Sequence, residues 1–129
     1  MSDGNVELMR RSLEAFERRD RTAWLATMDK DLEVVPPRDW PESGVRGAEA
    51  AWDLYLDVFD AFARVPVDDI EIVSAQADKV VARYRFDVSG RASGADVEFD
   101  YWLVATIREG RFTRGQWFAD RAEALEAAG

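Results

Sequence analysis

The sequence contains no cysteine and no histidine. Without cysteine there is no disulfide staple, no thiolate nucleophile and no metal site that needs sulfur. Without histidine the usual general base near neutral pH and the commonest metal ligand are missing. Ser-His-Asp, Cys-His and histidine-zinc chemistry are therefore closed, no metal site is expected, and catalysis would have to rest on Asp, Glu, Tyr, Ser, Arg or Lys. Lysine is scarce too, present only as Lys30 and Lys79, and 17 basic side chains face 26 acidic ones for a net charge of −9. That charge repels phosphate backbones, and no basic stripe offsets it, so neither nucleic acid nor an anionic membrane is an expected partner. No stretch approaches the roughly 18 consecutive apolar residues of a membrane span. Met1-Ser2-Asp3-Gly4 carries no positive charge and runs straight into an amphipathic segment, unlike a signal peptide, so the expected compartment is the cytoplasm.

What is present is the composition of one globular domain: 129 residues, 47% apolar and 33% charged, enough to bury a real core and too few for two. From Asn5 to Arg19 apolar side chains recur at Val6, Met9, Leu13 and Phe16, one stripe of a helix. Asp20 is placed to cap a short second helix through Trp24, Leu25 and Met28. A brief strand near Leu32 to Val35 follows, then a Pro-rich loop ending at Gly47. A third helix from about Ala48 to Ala63 carries Ala51, Trp52, Tyr55, Phe59 and Phe62 on one side.

After Pro66 the hydrophobic period changes to 2. Val80, Ala82, Tyr84, Phe86 and Val88 alternate with Val81, Arg83, Arg85 and Asp87, and Val97, Phe99, Tyr101, Leu103, Ala105 and Ile107 with Glu98, Asp100, Trp102, Val104 and Thr106. Arg111 to Ala119 forms a last strand. Helices first and an antiparallel meander after them predict an α+β domain, a strongly curved sheet whose concave face holds three helices from the N-terminal half and leaves a conical pocket.

The segments "NVELMRRSLEAFERRDRTAWLATMDKDLEVVPP", "GVRGAEAAWDLYLDVF" and "IREGRFTRGQWFADRAEALEAAG" together resemble the SnoaL-like branch of the nuclear transport factor 2-like superfamily. The resemblance spans nearly the whole chain. It implies the cone-shaped fold and a homodimer through the convex face, and it leaves the activity open, because the superfamily holds polyketide cyclases, ketosteroid isomerases, hydrolases, dehydratases and non-catalytic binding domains. Matched to the isomerase branch, the phenol donor, the carboxylate base and the protonated acid fall on Ser12, Pro36 and Leu103, none of which has the chemistry required. Many SnoaL-like relatives carry a histidine where Leu103 stands. Two positions keep their type: Tyr55 matches a pocket-lining tyrosine, and Asp120 resembles the acid before the terminal segment of SnoaL-type cyclases.

Site expectations follow from these readings. Trp24, Phe59, Tyr84, Phe86, Phe99, Tyr101 and Trp117 all point inward by alternation, either as plain core or as the wall of a pocket for a small apolar ring-containing molecule. Asp120 and Tyr55 are the candidate catalytic pair of a cofactor-free acid/base enzyme, Asp120 moving protons and Tyr55 donating to a developing oxyanion. Asp120 also reads as the N-cap of a terminal helix, the plainer of the two readings. On the outer face, Arg83, Arg85, Glu98, Asp100 and Trp102 would supply paired charges and an aromatic anchor to a second copy. Trp40 is either a lid or a surface anchor, and Asp39 and Glu42 are solvated loop charges rather than metal ligands. The functions left open are an enzyme, a binding module with the same pocket, and a dimerisation scaffold packed solid.

Overall fold

The computed structural model describes residues 2–38, 44–61, 70–89 and 96–129, with side chains over 4–38, 44–58, 70–85 and 100–129. In chain order the elements are α1 (Ser2–Glu17), α2 (Arg21–Ala26), β1 (Met28–Val35), β2 (Val45–Arg46), α3 (Ala48–Ala61), β3 (Ile70–Gln76), β4 (Lys79–Ser89), β5 (Asp96–Arg108), β6 (Arg111–Phe118) and α4 (Arg121–Ala128).

The first helix buries Leu8, Met9, Ser12 and Ala15, with Leu13 and Phe16 at the margin. The stripe is thus rotated from the expected Val6, Met9, Leu13 and Phe16 so that Ser12 lies inside, its hydroxyl donating to the Met9 carbonyl at 2.8 Å. The helix ends because Arg19 adopts a left-handed backbone (φ 56°), which lets Asp20 N–H reach the Ala15 carbonyl at 2.9 Å. The Arg19 guanidinium then donates to the Phe16 carbonyl and lies 4.6 Å from the Phe16 ring centre. Asp20 caps α2 as expected, accepting from Ala23 N–H at 3.1 Å.

The six strands form one curved, unclosed sheet in the order β2-β1-β6-β5-β4-β3. β3 to β6 are the predicted meander. Its longest ladder, β4 on β5, sets Tyr84 opposite Tyr101 and Arg83 opposite Trp102. The β5–β6 turn uses positive φ at Glu109 (53°) and Gly110 (74°), the backbone that suits a tight hairpin. One pairing departs from the antiparallel expectation: β1 runs parallel to β6, with Val34 opposite Gly115, so the sheet is mixed. β1 also begins at Met28, four residues before the apolar run that signals it. Register shifts in β1–β6, β3–β4 and β5–β6 supply the local bends of a curved sheet.

The two sheet faces carry two apolar clusters. The inner face, bearing Val80, Ala82, Tyr84, Leu103, Ala105 and Trp117, packs against α1, α2 and α3. The outer face is covered by α4, whose Ala124 is fully buried over Val81 and Val104 beside Trp102 and Phe118. No helix among the described residues is long and apolar enough to cross a membrane.

Candidate functional site

On the inner face aromatic rings meet from four directions. α3 presents Trp52 and Tyr55 one turn apart, α2 presents Trp24, α1 presents Phe16, and the sheet presents Tyr84 and Trp117. Trp24 and Trp52 lie 5.4 Å apart between ring centres, Phe16 and Trp52 5.2 Å, Trp24 and Tyr55 6.0 Å, Tyr55 and Trp117 6.1 Å, and Trp117 and Tyr84 4.8 Å. These are edge-to-face or tilted contacts, each contributing about 0.5–1.5 kcal/mol beyond burial. Tyr101 packs at the edge of the same cluster. Trp24, Tyr55, Tyr84, Tyr101 and Trp117 thus lie together, and Trp52 and Phe16 join them. The signal for Trp52 is its spacing, three residues before Tyr55 on one helical face. The side chains of Phe59, Phe86 and Phe99, and the whole of Asp39, Trp40 and Glu42, lie outside the described residues.

A polar contact crosses this apolar set. The Trp117 indole N–H donates to the Tyr55 hydroxyl at 3.1 Å. Burial pushes the Tyr55 phenol up to about 12, the indole hydrogen bond offsetting part of that rise. Tyr84 is raised further, by burial and then by its closeness to Tyr55. Both therefore keep their protons near neutral pH and act as hydrogen-bonding groups rather than bases. Beneath them is Gly115, where a Cβ would sit 3.3 Å from the Leu103 Cδ1 and 3.5 Å from the Tyr55 hydroxyl.

Carboxylates are placed elsewhere. Among the described residues the buried polar side chains outside the aromatics are Ser12, Thr27 and Thr106, and none is an acid. Asp120 is exposed, and its Oδ1 accepts from Ala122 N–H at 2.7 Å and Glu123 N–H at 3.3 Å as the N-cap of α4. Of the alternatives for this residue, the geometry is that of the cap. Ser12 spends its hydroxyl on its own helix, and Leu103 is apolar and buried beside Trp117. No group of three metal-ligating side chains occurs among the described residues.

The outer face carries the charges that alternation assigned to it. Arg85 Nε lies 3.1 Å from the Asp100 carboxylate, and Arg83 sits between Asp100 at 3.6 Å and Glu71 at 3.8 Å. Arg83 and Asp100 are only 23% and 24% exposed, so this strip is less screened than an ordinary surface pair. Trp102, opposite Arg83 in the ladder, packs against the cluster beneath α4.

Among solved structures, an NTF2-like protein from Burkholderia xenovorans shares 21% identity and superposes with a TM-score of 0.77 over 100% of this chain and 98% of its own. A proposed SnoaL-like polyketide cyclase from Jannaschia sp. shares 20% identity with a TM-score of 0.72, covering 99% of this chain and 93% of that one. TerC, co-crystallized with polyporic acid, shares 22% identity with a TM-score of 0.67, covering 95% and 96% of the two chains. At these identities the likeness is one of fold. Comparison with curated proteins gave no match. The model of the SnoaL-like domain family matches residues 9–115, which takes in α2, α3, the first five strands and most of the aromatic cluster. The chain therefore belongs to the SnoaL-like domain family, with the nuclear transport factor 2-like fold.

Proposed function

We propose that this protein binds a small, flat, apolar ring-containing molecule against the inner-face aromatic cluster, as a binding module. The observation that carries the reading is the ring-rich inner face, with the polar contact from Trp117 to Tyr55 set within it, while the one acid expected at the site caps a helix on the outer face. Aromatic faces hold flat apolar ligands through area and ring contacts, and one or two fixed polar groups set orientation. The relatives described as polyketide cyclases, and the capture of polyporic acid by TerC, support a ring-bearing ligand.

A catalytic reading has one observation in its favour. A buried phenol that accepts an indole N–H and holds its proton to about 12 has the character of an oxyanion donor. In that reading Tyr55 stabilises a developing negative charge on a carbonyl substrate, and the base comes from outside the described residues or from water.

Native mass spectrometry of protein purified from cells, followed by titration with naphthalene while tryptophan emission is recorded, tests the binding reading. The expected result is a retained small organic mass and saturable quenching. Absence of both, with naphthalene present up to its solubility limit, would overturn it.

A further inference from the structure

We infer that α4 is a releasable strap on the outer face, and that the surface beneath it joins two copies of this chain sheet to sheet once the strap lifts. The inference concerns the opposite side of the sheet from the ligand-binding reading above and does not depend on it.

α4 is held thinly. Ala124 is fully buried and Ala128 half-buried, and the remaining side chains of the helix are exposed, including Leu125, its one large apolar residue. A helix of eight residues is marginal in water without tertiary contacts. Its docking therefore rests on two alanine methyls and on the Asp120 cap. The ground beneath it is also imperfect. The Trp102 ring packs on the cluster that Ala124 completes, yet its indole nitrogen is buried without a hydrogen-bond partner, and so is Nε of Arg83, its cross-strand neighbour. Buried donors without acceptors give back part of what apolar contact gains, so the balance between docked and released α4 is shallow.

What the strap hides has the makeup of an interface. Along β4, Val81, Arg83 and Arg85 share the outer face, and along β5 their partners in the ladder are Val104, Trp102 and Asp100. An apolar patch thus runs without a break into charges of both signs, Arg83 and Arg85 beside Asp100. A second copy turned about a two-fold axis can set its own Asp100 against these arginines, so the partner the surface fits is this chain itself. Packed sheets lie about 10 Å apart, and a helix with its side chains is about 10 Å thick, so α4 on either sheet keeps the two faces from meeting. Docked strap and docked copy exclude each other.

The test follows α4 by hydrogen exchange and self-association by sedimentation velocity. In dilute wild type the Ala124 amide and the Trp102 indole proton should exchange together, and faster than the amides of the β4–β5 ladder. Asp120→Ala, which loses the cap, should raise the released population about fivefold, and because both copies must release, it should tighten the dimer about 25-fold. Asp120→Asn, which keeps a cap, should stay near wild type. Ala124→Asp sets a charge over Val81 and Val104 and gives a second release variant, which should tighten the dimer as well. Asp100→Ala added to Asp120→Ala should weaken that dimer again. An Ala124 amide that exchanges no faster than the ladder would overturn the strap. Faster exchange in Asp120→Ala and Ala124→Asp with an unchanged or raised dissociation constant would overturn the exclusion, and so would monomers in both variants up to the millimolar range. A dimer indifferent to Asp100→Ala would overturn the face assigned to it.

Discussion

Tyr55 and Trp117 are joined by one hydrogen bond, indole nitrogen to phenol oxygen at 3.1 Å, which ties α3 to β6 across the inner face. Tyr55→Phe preserves the ring and its contacts with Phe16, Trp24 and Trp117 and leaves the indole N–H without its acceptor. The expected cost is about 1–3 kcal/mol of stability, measured by urea denaturation with an unchanged m-value.

The same phenol predicts an alkaline limit. Folding holds the Tyr55 proton more tightly than the unfolded chain does, moving its ionisation from 10.0 to about 12. The resulting stabilisation is whole below pH 10 and is lost as pH rises toward 12, because only the unfolded chain then gains by ionising. Stability measured between pH 8 and 11 should fall above pH 10, and the fall should be smaller in Tyr55→Phe.

Asp120→Ala should remove about 1 kcal/mol through loss of the α4 cap and leave naphthalene affinity unchanged. Asp120→Asn, which retains a cap, should recover most of the loss. A change in affinity that Asp120→Asn fails to restore would return the acid to the binding site.

Leu103 stands buried beside Trp117 and above Gly115, the position where the isomerase branch has its protonated acid. Leu103→Asp would place a carboxyl there with no cationic partner among the described residues of the cluster. Burial raises its ionisation above the unfolded value of about 3.9, so the penalty is small below that pH and grows above it. A loss of about 3–5 kcal/mol at pH 7 that shrinks at pH 4 is the expected outcome in denaturant titrations.

The Arg83, Arg85 and Asp100 strip on the outer face carries charges of both signs, and we propose that a homodimer uses it. Sedimentation velocity should show a two-protomer species whose dissociation constant rises in Asp100→Ala. A monomer at every concentration up to the millimolar range would rule out this use of the strip.

Much of this architecture is written in local periodicity. The inward set Val80, Ala82, Tyr84 and the outward set Arg83 and Arg85 follow from alternation alone, and so do Tyr101, Leu103 and Trp117. Local pattern fails where a neighbour comes from far along the chain. Val81 and Val104 fall on the wetter side of their strands, yet α4 covers both. Alternation gives parity, and it does not say which later segment will lie over a face. The start of β1 at Met28 is hidden by Asp29 and Asp31, where the Asp29 carboxylate takes the Asp31 N–H at 2.8 Å and the apolar signal is absent. For Asp120 the sequence left capping and catalysis competing, since both use a carboxylate at the end of a strand, and two amide distances show the cap.

The parallel seam between β1 and β6 bears on how the chain reaches this structure. During synthesis β1 emerges among the first elements, with only the two-residue β2 to pair with nearby, and its long edge stays open until residues 111–118 have left the ribosome. At about 5–20 residues per second that interval is several seconds, during which a strand with unpaired amides is open to other chains. Closing the seam joins two segments distant in the chain late, at the entropic expense of a long loop. Circular permutants that bring β1 and β6 close in sequence should therefore fold faster than the natural order and aggregate less on refolding from denaturant.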